Sequence, residues 1–356
     1  MTKPVTDQRI PCAVLGATGN VGQRFIQLLD RHPWFRPAEL VASERSAGRP
    51  YSEAADWRVD AAMPDSVREL RVRGYDDALD SPVVFSALPG EVAGEIEQRM
   101  ARDGHAVLTN TSTHRMEPDV PLMIAEVNPD HAAAIAYQQA RREWSGFIVA
   151  NANCAAIHLT LALKPIQAAF GLEAVMVTTL QAVSGAGYPG VPSLDMIDNV
   201  VPYIGNEEEK LETEPRKMLG QFVDGQFVDA DIVLSTTCTR VPVRDGHTES
   251  VNMRLRIEAS PEDVIDAMER FQAAPQLMDL PSAPRRPIVV RRETNRPQPV
   301  LDRETEGGMA SVVGRVRVCP LMGIKFVVLG HNTLRGAAGA SVLNAELLKA
   351  QNMLPV

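Results

Sequence analysis

Cysteine is scarce: four residues in 356, at positions 12, 154, 238 and 319. No two stand at C-x-x-C spacing, which argues against a structural zinc site, and no metal is expected. Scattered thiols in a chain this long fit a reducing compartment, so a cytoplasmic protein is expected. Basic charge is also short. Lys and Arg number 36 against 45 Asp and Glu, a net charge of −9 with the acids spread rather than blocked. That argues against a nucleic-acid partner or an anionic membrane surface, while leaving room for a local basic pocket that takes phosphate. The opening stretch, MTKPVTDQRI, has no apolar core, so no secretory signal is expected. No run nears the roughly 18–20 apolar residues of a membrane span. There is no internal repeat and no low-complexity tract.

What the chain has is length. At 356 residues it exceeds one ordinary core and points to two domains. A hydrophobic share of 45% with 23% charged residues is that of a soluble globular protein.

The first pattern is CAVLGATGNVGQRFIQLLDRHPWF, which begins at Cys12. An apolar run leads into glycines at 16, 19 and 22. A helical stripe of Phe25, Ile26, Leu28 and Leu29 follows. Strand, glycine turn and helix open a βαβ unit that binds a dinucleotide. Gly16 allows the tight turn, Gly19 a close approach of backbone to pyrophosphate, and Gly22 close helix packing. Thr18, Asn20 and Val21 complete the turn, and the helix N-terminus meets the phosphate charge. A second strand ends in ASERSAGRPY. An NAD site places an acid at that strand end. Here Ser43, Arg45 and Ser46 offer hydroxyls and a guanidinium, which suit the 2′-phosphate of NADP. Glu44 is the nearby acid that opposes this choice. PVVFSALPG (82–90) reads as a further buried strand, whose end, Ser86, Ala87, Leu88 and Pro89, lines the cofactor crevice.

The pattern then changes. Residues 172–183 and 231–243 read as strands of a second sheet. Residues 250–259 alternate like a half-buried antiparallel strand. SGAGYPGVPS (184–193), with Ser184 and Gly185, is a glycine and proline loop. Residues 285–309, rich in charge and proline, read as a long extended excursion and a candidate intersubunit arm. The end of the chain reads as a glycine turn and an amphipathic helix that returns to the first domain.

Between the two halves stands NANCAAIHLTLALKPI (151–166). The residues after Cys154 favour a helix closed by Pro165, with Asn151 and Asn153 as turn and cap residues. The positive end of a helix favours thiolate, and N–H groups there can receive an oxyanion. A buried packing cysteine fits the same residues equally well. A nucleophile needs a base. His247, in the turn of TRVPVRDGHTES, is the candidate, although lone histidines are more often structural and six others stand at 32, 105, 114, 131, 158 and 331. Arg240 can hold a carboxylate bidentately.

GATGNVGQRF, ASERSAGRPY, TNTSTHRM, NANC, QAVSGAGYPGVPSLDMIDNV, EEEK, RVPVRDGHTE, GGM and NTLRGAAGASVLN occur in order over almost the whole chain. Together they resemble the aspartate-β-semialdehyde dehydrogenase family, in the branch typical of archaea and fungi. The resemblance implies an α/β chain: a Rossmann-type NADP domain, 1–150 completed by 332–356, and an α+β catalytic and dimerisation domain with a mixed sheet, 151–331. It implies Cys154 as acyl-accepting nucleophile, His247 as general acid/base and Gln181 as the group orienting the intermediate. Arg240 would bind the substrate carboxylate, and Glu207, with Glu208 as competitor, its amino group. Lys210 and Arg115 would bind the phosphate, with Asn153 beside them. Asn332 and Gly336 would lie near the nicotinamide. Aspartyl phosphate and inorganic phosphate are then the small-molecule partners, and a homodimer or homotetramer the assembly.

The chain departs from the family in having Ala152, Ala155 and Ala156 around the cysteine. Relatives commonly carry proline two before it and Ser or Thr after it. Two other readings stand beside the first: a malonyl-CoA reductase-like enzyme acting on a CoA thioester, and a non-catalytic NADP-binding sensor.

Overall fold

The computed structural model describes residues 8–356. Residues 1–7, on which the expectation of no signal falls, lie outside the described residues. The first six strands are β1 (Ile10–Leu15), β2 (Phe35–Val41), β3 (Val83–Ser86), β4 (Ala106–Thr109), β5 (Leu122–Met123) and β6 (Phe147–Asn151). They form one sheet in the order β2-β1-β3-β4-β6-β5, every pair parallel. A parallel sheet is covered on both faces, so its strands are continuous apolar runs, and β3, β4 and β6 are buried throughout. The chain runs from β1 outward to β2, then crosses to β3. That reversal leaves a crevice at the carboxyl ends of β1 and β3, where α/β sheets bind ligands.

The helix Asn20–Asp30 buries Gly22, Phe25, Ile26 and Leu29, a stripe at helical spacing. Two glycines bring it to the sheet. Gly16 has φ +72°, and a Cβ on Gly22 would stand 2.2 Å from the Gly16 carbonyl oxygen.

The later strands are β7 (Leu172–Gln181), β8 (Gln221–Val223), β9 (Gln226–Val228), β10 (Val233–Arg240), β11 (His247–Leu255), β12 (Ile288–Arg291), β13 (Ser311–Cys319) and β14 (Gly323–Gly330). β8 and β9 make a separate hairpin. The others form a mixed sheet in the order β10-β7-β11-β14-β13-β12. β7 alternates: Val175, Val177, Thr179 and Gln181 are buried, while Met176 and Leu180 on the opposite face are exposed. One face packs on the helix Cys154–Phe170 and the other is open.

Three expectations are corrected here. The helix that starts at Cys154 does not stop at Pro165 but continues to Phe170 and ends at Gly171, with φ +66°. It is buried on nearly every side, and that packing outweighs the one backbone hydrogen bond proline forfeits. The C-terminal helix Gly339–Ala350 packs against the helix Asn20–Asp30 and β4, but it is not amphipathic, being buried from Gly339 to Leu348. Two of its polar residues find partners inside: Glu346 with His32 at 2.6 Å, and the Asn344 amide N–H with the Met123 carbonyl at 3.1 Å. Finally, residues 285–309 are folded onto the mixed sheet. β12 pairs with β13, and buried Asp302 accepts from Arg291, Arg296 and the Gln298 N–H, drawing the charged stretch together.

Candidate active site

Strand register assembles the site. Arg240 pairs with Gln181 across β10 and β7, and His247 pairs with Gly330 across β11 and β14. All three side chains therefore leave the same end of the mixed sheet on its covered face. His247 begins β11 rather than sitting in the turn before it. β6 ends at Asn151, and two residues later the buried helix begins at Cys154. The sulfur thus stands at the carboxyl edge of the parallel sheet and at the end of the mixed one.

The cleft between them has a volume of about 820 Å³. Gly19, Asn20, Val21, Ala87, Leu88 and Pro89 line its first-sheet side. Arg115, Asn153, Cys154, Gln181, Ser184, Gly185, Glu207, Lys210, Arg240, Asn332 and Gly336 line the rest. Cys154 Sγ lies 3.1 Å from His247 Nε2. His247 is fully buried, and its Nδ1 accepts the Ala182 N–H at 3.0 Å. Arg240 Nη1 donates to the Ala182 carbonyl at 2.7 Å. Asn332 holds the Gly246 N–H at 2.9 Å and donates to Ser184 Oγ at 2.8 Å. A Cβ on Gly336 would stand 2.9 Å from that of Cys154.

Asn153 caps the cysteine helix. Its Oδ1 accepts from the Ala155 and Ala156 N–H groups at 2.9 and 3.3 Å. Two first-turn donors that the sequence offered to an oxyanion are thereby occupied. Glu207 accepts from Asn153 Nδ2 at 2.9 Å, Gln181 Nε2 at 3.1 Å and Lys210 Nζ at 2.8 Å. Glu208 instead accepts the Cys238 N–H at 3.0 Å, away from the cleft. Burial, then the Glu207 carboxylate, push the Cys154 thiol up to about 12, while Arg115, the Ala155 N–H and Arg240 pull it down. The helix end alone does not make this thiol acidic.

Glu214 and Lys217 escaped the sequence reading. Glu214 accepts from Arg115 Nη1 at 2.8 Å and from the Asn153 N–H at 2.6 Å. It ties the arginine to the cap of the cysteine helix. Its place seven residues after Glu207, on the same helix face, was the available signal. Buried Lys217 donates to the carbonyls of Arg115, Glu117 and Val120 at 2.8, 2.8 and 2.9 Å, and burial pushes it down to about 8. Asn110 and Ser112 also line the cleft.

Several expected cofactor residues do not line it. Gly16, Thr18 and Gly22 underlie the turn, and Ser43, Arg45 and Ser46 follow the end of β2. Ser86, expected at the crevice, does not line the cleft: its hydroxyl donates to buried Glu97 at 2.6 Å. Ala155 and Ala156 are fully buried, and Ala155 packs with Leu211 and Cys238, so neither faces the cleft; Ala152 does. The glycine turn suits a dinucleotide. Gly19 is open toward the cleft, and the helix behind it has no acid in its first turn. Glu44 lies with Oε1 beside Gly74, at the loop rather than in the crevice.

A dinucleotide-type sheet facing a cysteine–histidine pair in a cleft defines a nicotinamide-dependent aldehyde dehydrogenase that works through a thioester. Family models agree: "semialdehyde dehydrogenase, NAD binding domain" matches residues 11–135, and "semialdehyde dehydrogenase, dimerisation domain" matches 163–335. The aspartate-semialdehyde dehydrogenase of Methanothermobacter thermautotrophicus is 53% identical over 94% of this chain and 97% of its own length. The crystal structure of aspartate-semialdehyde dehydrogenase with NADP from Candida albicans superposes with a TM-score of 0.90 at 41% identity, over 97% of this chain and 100% of that one. Aspartate-semialdehyde dehydrogenase II of Vibrio cholerae, solved in complex with ASA, gives 0.77 at 30% identity over 96% and 99%. This chain belongs to the aspartate-semialdehyde dehydrogenase family.

Proposed function

We infer that the chain reduces L-aspartyl-4-phosphate to L-aspartate 4-semialdehyde with NADPH, releasing phosphate. The observation that carries this is the Cys154–His247 pair, 3.1 Å apart, in a cleft that also holds Glu207, Lys210, Arg115 and Arg240. Two cations, a carboxylate and a further guanidinium match the phosphate, ammonium and carboxylate of one amino-acid acyl phosphate. A malonyl thioester of CoA carries no ammonium for Glu207 to receive.

In this reading the Cys154 thiolate attacks the acyl carbon, and phosphate departs toward Arg115 and Lys210. Arg240 holds the α-carboxylate and Glu207 the ammonium, with Gln181 and Asn153 fixing Glu207. His247 faces the oxyanion that forms beside the sulfur. The turn Gly16–Gly22, Ala87–Pro89, Ser184, Gly185, Asn332 and Gly336 would hold the cofactor, with Ser43, Arg45 and Ser46 toward its 2′-phosphate. When bound, it supplies the hydride that reduces the thioester.

The division at 150/151, with 332–356 completing the first domain, belongs to the same reading and is supported by the two separate sheets. So does a homodimer through the open face of the mixed sheet, where Met176, Leu180 and Val233 are exposed. Among the described residues no helix is long and apolar enough to cross a membrane. A cytoplasmic location is part of the proposal.

Steady-state assay of purified protein tests the substrate. NADP⁺ reduction with L-aspartate semialdehyde should depend on phosphate. Turnover with malonate semialdehyde and CoA instead would move the protein to the thioester alternative.

A further inference from the structure

The helix Glu207–Leu219 carries Glu207, Lys210, Glu214 and Lys217 three or four residues apart, which places them on one face. Glu207 and Lys210 line the cleft, whereas Glu214 and Lys217 lie behind it. The latter two are buried all the same, with 2% and 3% exposure. A buried charge persists only where its bonds are satisfied, and both of these direct theirs at Arg115 and its surroundings. Glu214 accepts from Arg115 Nη1 at 2.8 Å with one oxygen and from the Asn153 N–H at 2.6 Å with the other. Lys217 donates to the Arg115 carbonyl at 2.8 Å. The Asn110 carbonyl accepts from Arg115 Nη2 at 2.8 Å. The arginine is thus held at its main chain and at both terminal nitrogens. Its Nε–H has no partner among the described residues.

We propose that Glu214 is a positioning residue for the phosphate step: it aims the Arg115 guanidinium and fixes it relative to the start of the cysteine helix. This rests on the reading of Arg115 as a phosphate ligand. A free arginine side chain samples many rotamers, and its planar fork recognises phosphate only when aligned. One carboxylate bonded both to Arg115 and to the residue before Cys154 sets the separation of the phosphate site and the sulfur. A displacement of about 1 Å in such a pre-set geometry costs about 100-fold.

Charge alone argues in the opposite direction. A carboxylate beside a phosphate-binding cation repels phosphate, so removing it would tighten phosphate binding. The sign of the change therefore separates aiming from charge balance.

Two variants test this in the direction that consumes aspartate semialdehyde. Glu214→Gln replaces two acceptors by one acceptor and one donor group. Its carbonyl can serve the main-chain Asn153 N–H, which leaves its NH₂ facing Arg115. KM for phosphate should rise about tenfold to 100-fold, while KM for aspartate semialdehyde stays within about twofold. The NADPH burst formed without phosphate should keep its native amplitude, because phosphate enters only after the thioester forms. Glu214→Asp keeps the charge and draws both oxygens back by one methylene. It should raise KM for phosphate about threefold or more, and it carries the test where E214Q does not fold. In an Arg115→Gln background, either change should alter that KM by less than about twofold. A lowered or unchanged KM for phosphate, a lost burst, or the full effect in the R115Q background would overturn the proposal. Native turnover that ignores phosphate would instead sink the functional reading, and the proposal with it.

Discussion

Glu207→Gln should push two properties in opposite directions. The carboxylate is the second cause, after burial, of the raised Cys154 thiol. At pH 8 a thiol at about 12 is thiolate in about one part in 10⁴, against about one in ten for an ordinary cysteine near 9. The amide removes a negative charge beside the sulfur and leaves Lys210, its partner at 2.8 Å, as added positive field. Gln keeps an acceptor for Asn153 or Gln181, so the helix cap survives. Alkylation of Cys154 by iodoacetamide should accelerate about tenfold, the effect of one unit in thiol acidity. The same change deletes the anion proposed to hold the substrate ammonium. A charge-assisted hydrogen bond contributes about 1.5–3 kcal/mol, so KM for aspartate semialdehyde should rise about 10- to 100-fold. Stopped alkylation kinetics and steady-state titration read the two effects. Slower or unchanged alkylation would refute the electrostatic reasoning, and an unchanged KM the ammonium assignment.

Asn153→Ala removes the helix cap and should cost about 1 kcal/mol of stability by denaturant titration. Arg45→Ala should raise KM for NADPH far more than for NADH; equal effects would remove it from the 2′-phosphate. Glu249 is fully buried on β11, neither carboxylate oxygen has a hydrogen-bond partner, and burial raises it well above the usual range. A carboxyl protonated when folded but ionised when unfolded makes stability fall as pH rises above the ordinary glutamate range. Glu249→Gln should therefore raise Tm more at pH 8 than at pH 5, and an equal change at both would contradict its protonation.

What was legible in the sequence was short-range. The turn at Gly16–Gly22 is read from neighbours, because a strand, a turn and a helix stripe are all local patterns. Cys154 was legible as a helix start from Asn153 and the apolar run after it, but not as a thiol whose acidity Glu207 lowers. That electrostatic effect reaches across 53 residues of chain by numbering, and nothing local encodes it. Arg115 and Glu214 meet for the same nonlocal reason. Ser86 was misread because strand position gives which face a side chain takes, while Glu97 on a neighbouring helix decides what it bonds. Pro165 was misread because proline's local cost was weighed without the packing that surrounds the helix.

The central claim is covalent capture at Cys154. It is tested most directly by mixing the protein with NADP⁺ and L-aspartate semialdehyde in the absence of phosphate. The account predicts a burst of NADPH stoichiometric with subunits, then a stall, with an aspartyl adduct on the peptide that holds Cys154. Added phosphate should release the adduct and restore turnover, and Cys154→Ser should show no burst. Steady phosphate-independent turnover, an adduct on another residue, or a burst that survives in C154S would contradict it.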